Sequence, residues 1–507
     1  MESRRYMTTI GVVRCFLLFY LFTFLPFSVV AQQQGCRRGT PRAFTRGAAE
    51  GRIPGGDFYK GDLHQLVVLA AFADQSFVGD ESQTMEQWDK IFNTKDFSEA
   101  PYFGSVRDYF VAQSYDAFSP VFDLQYVVVD SLKKYRSTVI DDENSQFLVE
   151  DIVDSLLKRD IEWGLYDWNG DGYVNQLLII YAGKGSSYGG FGGGYDAIWP
   201  HQWWMSEHFD FEEQQYRQPC VVTDSEGHTY LVDCYCAVQE LASRETWSTF
   251  GTLCHEYSHC FGFPDFYYGS TKNVGNWDLM DYGNYNGKGF QPCGYSAHER
   301  WLMDWLTPEE LFEAATVTDL PSLSDEGRAY LLRNDGCESE YYIIENRQQR
   351  GWDELLPGSG VVVFHVDYDP SIWTSVTQWP NDNNKKHYTI FHANNTGDET
   401  GWAYPYGGNS NLTNTSVPAA TLNNPNVDGT MLMSKPITNM VVNGGIASFE
   451  VMADPTAVTA PTFNVQRSPR GSVALQSTFN VLSRIGPVTI VRDESGTVRK
   501  VISAPCP

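Results

Sequence analysis

Apolar residues form short runs over the N-terminal part of the chain, and their spacing predicts strands and helices in mixed order. Continuous or alternating apolar runs are typical of buried strands, and apolar positions three or four apart are typical of helices. The predicted strands are residues 63–74, 122–130 and 174–183, and the predicted helices are residues 104–118 and 145–159. The run "VNQLLIIYAG" is so apolar that we expect a strand covered on both faces. This mixture indicates an α/β or α+β domain over residues 57–306, and we assign the α+β class.

The pattern changes after residue 306, where short apolar runs alternate with turn residues. Examples are "EYYIIENR", "SGVVVFHVDYD" and "HYTIFHANN". They predict a β-rich, sandwich-like accessory region over residues 307–454. Residues 455–507 begin with the linker-like "PTAVTAPT" and end in a predicted β-hairpin, whose turn we expect at residues 494–496.

The N-terminus has the layout of a secretory signal peptide. Three arginines precede the apolar run "CFLLFYLFTFLPFSVVA", which ends in small residues. We expect a cleaved signal peptide over residues 1–31 and a flexible leader or short propeptide over residues 32–56. The mature protein is then secreted, whether extracellular, periplasmic or held at a cell surface. A membrane anchor is the alternative for this run, and no other run in the sequence is long enough to span a bilayer.

The net charge bears on the partners of the protein, and the cysteine count bears on disulfide pairing. The formal net charge of −27 argues against nucleic acid or an anionic membrane. Ten cysteines less Cys15 in the signal segment leave nine, so at least one thiol stays unpaired. Cys254 and Cys260 are predicted to be buried thiols or disulfide partners. Cys36, in the leader, is a candidate thiolate for blocking a metal site, but nothing in the sequence around it enforces that role.

Candidate chemistry is concentrated in "CHEYSHCFGFPD", within a stretch of helical spacing. On a helix, positions i and i+4 share one face, so His255 and His259 present two imidazole nitrogens to one ion. Glu256 lies beside that face, as a general base would, and Gly262 lets the chain turn so that Asp265 returns as a third ligand. Three protein ligands and one open position are what a catalytic zinc ion needs. The alternative is a helix whose histidines hydrogen-bond within the core.

The motif resembles the zinc motif HExxHxxGxPD of the immune inhibitor A-type secreted metalloproteases, peptidase family M6. Further blocks are similar to that family in the same order: "GSVRDYFVAQSYDAF", "YDWNGDGYVNQLLIIYAG", "AIWPHQWW", "GNWDLMDYG" and "EYYIIENRQQRGWDELLPGSGVVVFHVD". Together they span residues 63–369. The resemblance implies a zinc endopeptidase with a metzincin-like catalytic domain, acting on protein or peptide substrates.

The resemblance also implies roles for single residues. His255 and His259 match the zinc-binding histidines, and Glu256 matches the catalytic glutamate. Asp265 falls where metzincins place their third ligand, although most of them use histidine there. Glu299, in the predicted helix "YSAHERWLMDWL", is the alternative third ligand, and it is otherwise a surface or ion-paired carboxylate.

A second block, "NWDLMDYG", resembles the Met-turn of metzincins. The resemblance places Met280 under the metal, and it places Tyr282 like the tyrosine that some metzincins use near the scissile carbonyl. Ordinary core packing is the alternative for Met280, and a structural role is the alternative for Tyr282.

A second ion site is predicted in "DWNGDGYVNQL". The five candidate ligands for calcium, at loop positions 1, 3, 5, 7 and 9, are Asp167, Asn169, Asp171, Tyr173 through its carbonyl, and Asn175. Position 12 is Leu178 instead of a bidentate glutamate, so the loop is not a complete EF-hand. An Asx-rich turn before a strand gives the same spacing without an ion.

The function that these patterns favour is a secreted zinc-dependent endopeptidase with calcium as a structural ion. The alternative, from another class, is an exported adhesin or binding module on a catalytically altered peptidase scaffold. The intact His255, Glu256 and His259 argue against that loss of activity.

Overall fold

The computed structural model describes residues 59–136, 144–189, 197–210, 214–242, 246–269, 271–375, 378–382 and 385–453, together with the backbone of three strands near the C-terminus. The predicted signal peptide, the leader with Cys36 and the linker that begins at residue 455 lie outside the described residues. None of the helices in the described part of the chain combines the length and the hydropathy that a membrane crossing requires.

Helices and strands are numbered in chain order. The α-helices are α1 (Glu81–Asn93), α2 (Val106–Gln113), α3 (Leu132–Tyr135), α4 (Ser145–Leu156), α5 (Phe250–Cys260), α6 (Ala297–Leu302) and α7 (Pro370–Trp373). The strands before α5 are β1 (His64–Phe72), β2 (Val121–Val129), β3 (Tyr173–Val174), β4 (Leu177–Lys184), β5 (His201–Trp204), β6 (Phe209–Asp210), β7 (Gln215–Tyr216), β8 (Cys220–Thr223), β9 (Thr229–Val232) and β10 (Cys234–Leu241). The strands after α6 are β11 (Glu309–Glu310), β12 (Ala315–Leu320), β13 (Tyr330–Asn334), β14 (Cys337–Arg347), β15 (Gly360–Asp367), β16 (Tyr388–Ile390), β17 (Ile437–Asn443), β18 (Ile446–Val451), β19 (Asn480–Ile485), β20 (Val488–Arg492) and β21 (Val498–Ile502).

Five strands form the first sheet, in the order β2-β1-β4-β10-β5. β1 pairs in parallel with β2 and β4, β10 pairs in parallel with β4, and β5 closes one edge in the antiparallel sense. All of β4 except its last residue is buried, which confirms the prediction of a strand covered on both faces. β10, which no pattern predicted, is the strand against which α5 packs.

Helix α2 is shorter than the helix predicted over residues 104–118. It starts with a capping box, in which Ser105 and Asp108 each accept a hydrogen bond from the other's backbone N–H. It ends at Gln113, and Tyr115 and Asp116 then have φ of +53° and +65°. These left-handed conformations do not continue a right-handed helix, so the apolar spacing overestimated its length.

A second sheet, in the order β11-β13-β14-β15-β16, separates two apolar cores. Along β14 and β15 alternate side chains face opposite sides, as the period of a strand requires. Ile343 and Phe364 belong to the first core with β1 and β4, whereas Tyr342 and Val363 belong to the second core. The later residues of the chain therefore supply one wall of the first core.

The remaining sheets are small. β12, β18 and β17 form a three-stranded sheet that contributes to the second core, and β3, β9 and β8 form another. β20 and β21 pair antiparallel as the predicted hairpin requires, and β19 adds a third strand. The turn predicted at residues 494–496 lies outside the described residues.

Candidate active site

Helix α5 carries the motif histidines and is buried along nearly its whole length. It packs against a 3₁₀ segment, Gly283–Gly289. Gly251 permits this approach, because a Cβ there would lie 1.9 Å from the Asn284 carbonyl oxygen. The helix ends at Cys260, and Gly262, with φ of +96°, lets the chain turn as the sequence predicted.

The turn after α5 brings Asp265 to the two histidines. Asp265 Oδ1 lies 3.1 Å from His255 Nε2 and 3.4 Å from His259 Nε2. One ligating atom from each of the three residues lies within 4.8 Å of the other two. The side chains of His255, His259 and Asp265 are 2%, 0% and 1% exposed, so the group is shielded from solvent.

Backbone carbonyls orient both imidazole rings. His255 Nδ1 lies 2.8 Å from the Leu279 carbonyl oxygen, and His259 Nδ1 lies 2.7 Å from that of Phe263. A carbonyl oxygen only accepts hydrogen bonds, so each Nδ1 must carry a proton. The Nε2 atoms, which face Asp265, are therefore available as ligands when the rings are neutral, and their orientation is fixed by the second contact of each ring.

The donor set fits a divalent metal ion. Within the described residues, His259 Nε2 and Asp265 Oδ2 are buried and make no hydrogen bond. Buried polar atoms without a partner cost free energy, whereas a cation would accept a lone pair from each of them. Two imidazole nitrogens and one carboxylate are ligands that suit zinc.

In the metal-free protein, the contact between Asp265 and the histidines shifts two pKa values. Burial alone would raise the pKa of Asp265, but His259 and His255 outweigh it and hold that pKa at about 2. Burial alone would lower the pKa of His255, but the hydrogen bond to Asp265 and the charge of Glu256 raise it to about 9. The metal-free site therefore holds a proton near neutral pH, which a cation must displace.

Glu256 and His255 both line a cleft of about 160 Å³. Its walls include Trp199 and Trp247, and Tyr282 lies on the same cleft. The cleft thus places a carboxylate, one histidine of the metal-ligand group and a phenol around a single space that a substrate can enter. This is the combination of groups that metal-assisted hydrolysis uses.

The segment predicted to be a Met-turn makes hydrogen bonds both to helix α5 and to the backbone that follows Asp265. Met280 is fully buried, and its N–H donates to Asp278 Oδ1 at 2.8 Å. The carbonyl of the preceding residue, Leu279, accepts from His255, and the Met280 carbonyl accepts from the N–H of Phe266 at 2.8 Å. The segment therefore helps to orient one histidine and the backbone next to Asp265.

The family assignment follows from comparison with known proteins. Residues 66–307 match the family described as "Immune inhibitor A peptidase M6, catalytic domain". This part of the chain is an M6 peptidase catalytic domain. The resemblance drawn from the sequence motifs is thereby confirmed over these residues.

Two curated relatives support the assignment of the M6 domain. "Immune inhibitor A" of Bacillus thuringiensis subsp. alesti is 24% identical over 311 residues, covering 52% of this chain and 44% of its own. "Pre-pro-metalloprotease PrtV" of Vibrio cholerae serotype O1 (strain M66-2) is 28% identical over 197 residues, covering 34% of this chain and 20% of its own. The chain thus spans less than half the length of each of these relatives.

Glu299, the alternative third ligand, lies apart from the histidines of the M6 domain. It is fully buried at the start of α6, where its Oε2 accepts from the N–H and the hydroxyl of Ser296 at 2.7 and 3.0 Å. It is not part of the group that brings three ligating atoms together. Its carboxylate caps a helix, so Asp265 is the carboxylate that the fold brings to the histidines.

The loop predicted to bind calcium uses its polar groups internally. Asp167 accepts from the N–H groups of Asp171 and Gly172 at 3.1 and 2.9 Å. Asp171 Oδ1 accepts from the N–H of Tyr173 at 2.9 Å, and Asn175 Oδ1 accepts from that of Trp168 at 2.6 Å. The Nδ2 of Asn169 donates to Asp171 Oδ2 at 3.1 Å. These are the contacts of an Asx-rich turn, and no observation on the described residues supports calcium there.

Cys254 and Cys260 are buried free thiols. This is one of the two predicted alternatives, the other being disulfide partners. Cys260 Sγ lies 4.0 Å from Cys234 Sγ, on strand β10, and neither cysteine belongs to the metal-ligand group.

Asp281 is a residue of the cleft that the sequence motifs did not single out. It lines the cleft, and its Oδ2 accepts from the N–H groups of Asn273, Val274 and Gly275, each at 2.8 Å. Its position between Met280 and Tyr282 is the feature of the sequence that could have placed Asp281 near the site. Trp199 and Trp247 of the cleft were also missed, because nothing local in their sequence distinguishes a cleft tryptophan from a core one.

Proposed function

We propose that the protein is a secreted, zinc-dependent endopeptidase that hydrolyses peptide bonds in proteins, with Glu256 as the general base. The observation that carries this proposal is the buried group of His255, His259 and Asp265, whose member His255 lines one cleft together with Glu256. The M6 domain supports peptide hydrolysis, and the metalloprotease name of one relative is consistent with it. The export signal predicted over residues 1–31 supports secretion.

The residues divide the reaction between them. A zinc ion held by His255, His259 and Asp265 would supply Lewis-acid polarisation of the scissile carbonyl and of the attacking water. Glu256 accepts a proton from that water as it attacks, and then donates it to the leaving amine. Tyr282 donates a hydrogen bond to the oxyanion that develops on the carbonyl. Burial and the charge of Asp281 raise the pKa of Tyr282, so its hydroxyl keeps its proton near neutral pH.

The metzincin-like character of the domain is part of the proposal. It is supported by the turn at Met280, whose backbone carbonyls accept hydrogen bonds from the His255 ring and from the N–H of Phe266. Calcium stays a prediction, because the loop at Asp167 satisfies its own polar groups without it.

Purified mature protein, incubated with casein and with a peptide library, tests the proposed activity. We expect cleavage at internal peptide bonds, loss of cleavage with a zinc chelator and recovery when zinc is restored. A sample that binds zinc but leaves proteins and peptides intact would favour the exported binding module instead. Cleavage that survives complete removal of the metal would contradict the role given to zinc.

Replacing Asp265 with alanine is expected to weaken zinc binding by about 100-fold or more, because loss of a supporting residue alone costs about 10- to 100-fold. Glu299→Gln is the matched control, since Glu299 is the rival carboxylate. Glutamine keeps the oxygen that caps α6, so zinc affinity should stay within about twofold of the wild type. Competition titration against a fluorescent zinc chelator measures both. A larger loss in Glu299→Gln than in Asp265→Ala would reverse the assignment of the third ligand.

Zinc uptake is expected to release about one proton at pH 7, because the pKa of His255 is about 9 in the metal-free protein and Nε2 must be deprotonated to bind. Below that pKa the affinity should rise about tenfold for each pH unit. Isothermal titration calorimetry in two buffers with different ionisation enthalpies gives the number of protons. Equal heats in the two buffers would contradict the protonated ligand group.

A further inference from the structure

Glu399 begins a short 3₁₀ helix, Glu399–Gly401, outside residues 66–307, which match the family. It nevertheless contacts the segment that leads into the turn at Met280. Its Oε2 accepts from the backbone N–H of Asn276 at 2.7 Å. Its own carbonyl accepts from the indole N–H of Trp277 at 3.2 Å. Gly275, with φ of +60°, lets the backbone come so close that a Cβ there would lie 2.6 Å from the Glu399 carboxylate. The later part of the chain thus fastens this segment from outside.

The other oxygen of Glu399 holds a lysine on the same segment. Lys272 Nζ lies 3.1 Å from Glu399 Oε1 and 2.8 Å from Asn276 Oδ1. Asn276 in turn donates from Nδ2 to the Tyr282 carbonyl oxygen at 3.2 Å. These contacts give the ammonium a defined place, although the side chain of Lys272 is partly exposed.

The Lys272 ammonium group lies over the ring of Tyr282. Lys272 Nζ lies 4.6 Å from the ring centroid, within the range of a cation–π contact. The rings of Tyr267 and Tyr285 lie at 6.1 and 5.9 Å, at steep angles to it. The tyrosine ring is therefore confined by two aromatic neighbours and by one cation that Glu399 anchors.

We propose that Glu399 is a positioning residue for the reaction, which holds Lys272 over the ring of Tyr282 and so fixes the phenol that faces the cleft. The inference rests on the proposed function, since it assigns a task to Tyr282 in peptide hydrolysis. The ammonium stabilises negative charge on the ring, so the hydroxyl becomes a better hydrogen-bond donor to an oxyanion. We call the contact of Glu399 with Lys272, and of Lys272 with the ring of Tyr282, the clamp. It affects the rate because the Tyr282 hydroxyl can donate to the oxyanion only if it is held where the negative charge develops.

The variants Lys272→Met and Glu399→Gln test the clamp, with Lys90→Met as matched control. Lys90 pairs with Glu86 on the surface of α1 at 2.9 Å and does not line the cleft. We expect kcat to fall about tenfold in Lys272→Met and in Glu399→Gln, with KM unchanged within about twofold. Lys272→Arg, which keeps a cation over the ring, should recover most of the rate. Lys90→Met should match the wild type.

A double-mutant cycle separates this clamp from a general structural role. In a Tyr282→Phe background, Lys272→Met should cause no further loss of kcat, because the hydroxyl that it positions is already absent. Equal losses in the presence and absence of the hydroxyl would overturn the inference, and so would wild-type kcat in Lys272→Met or in Glu399→Gln.

A measurement that does not depend on catalysis tests the inference separately from the proposed function. If the wild type hydrolyses no more than Glu256→Gln, the proposed function fails. With 3-fluorotyrosine placed at position 282, the ¹⁹F titration midpoint should then still rise in Lys272→Met and in Glu399→Gln, and stay unchanged in Lys90→Met. A midpoint that does not move in either clamp variant overturns the inference.

Discussion

Replacing Glu256 with glutamine is expected to lower the rate of peptide hydrolysis by about 1,000-fold or more, while zinc binding stays at the wild-type level. The two side chains have nearly the same shape, but an amide cannot accept the proton of the attacking water. His255, His259 and Asp265 remain unchanged, so the ligand group is retained. The rate is measured on an internally quenched peptide, and the metal content by atomic emission on the same sample.

Glu226→Gln is the control for this change, because Glu226 is a strongly exposed carboxylate that does not line the cleft. It should keep the wild-type rate. If Glu256→Gln cleaves peptides as fast as Glu226→Gln, the proton carrier is another group. If Glu256→Gln instead loses its zinc, the glutamate belongs to the ligand set and the division of roles is wrong.

Replacing Arg347 with methionine is expected to lower the free energy of unfolding by about 3–5 kcal/mol, because it leaves buried carboxylates without their counter-charge. Arg347 is fully buried on β14 and makes a bidentate contact with Asp353 at 2.7 and 2.8 Å. It also donates to Glu345 at 3.2 Å and to the Gly294 carbonyl at 3.0 Å. Urea denaturation followed by tryptophan fluorescence measures the loss.

Arg350→Met is the matched control for Arg347→Met. Arg350 pairs with Asp325, and both side chains of that pair are more than two-fifths exposed. Its removal should change the unfolding free energy by less than about 1 kcal/mol. Equal losses in the two variants would show that the buried network around Arg347 does not contribute the stability assigned to it.

The parts of the site that could be predicted are those that depend on neighbours in sequence. His255 and His259 share a helix face because of their spacing, and Gly262 turns the chain because glycine alone adopts its positive φ without strain. The apolar run of β4 likewise predicted burial on both faces, since no polar position interrupts it.

The parts that could not be predicted depend on residues far apart in sequence. Glu399 contacts Asn276 across the fold, and no periodicity connects the two positions. The helix predicted over residues 104–118 ended early because Tyr115 adopts a left-handed backbone, which apolar spacing does not report. The loop at Asp167 shows a different limit, because the same side chains serve an ion or a turn, and spacing is identical for both.

Strands β14, β15 and β16 form one wall of the first core, so this core extends beyond residues 66–307, which match the family's catalytic domain. Tyr388 of β16 packs on Phe266 with ring centroids 4.0 Å apart, and Phe266 follows Asp265 directly. A fragment trimmed to residues 66–307 would expose Phe266 to water at this contact and loosen the backbone next to Asp265. A shortened fragment that preserves the candidate site must therefore keep the segment through residue 403, which contributes to the same core.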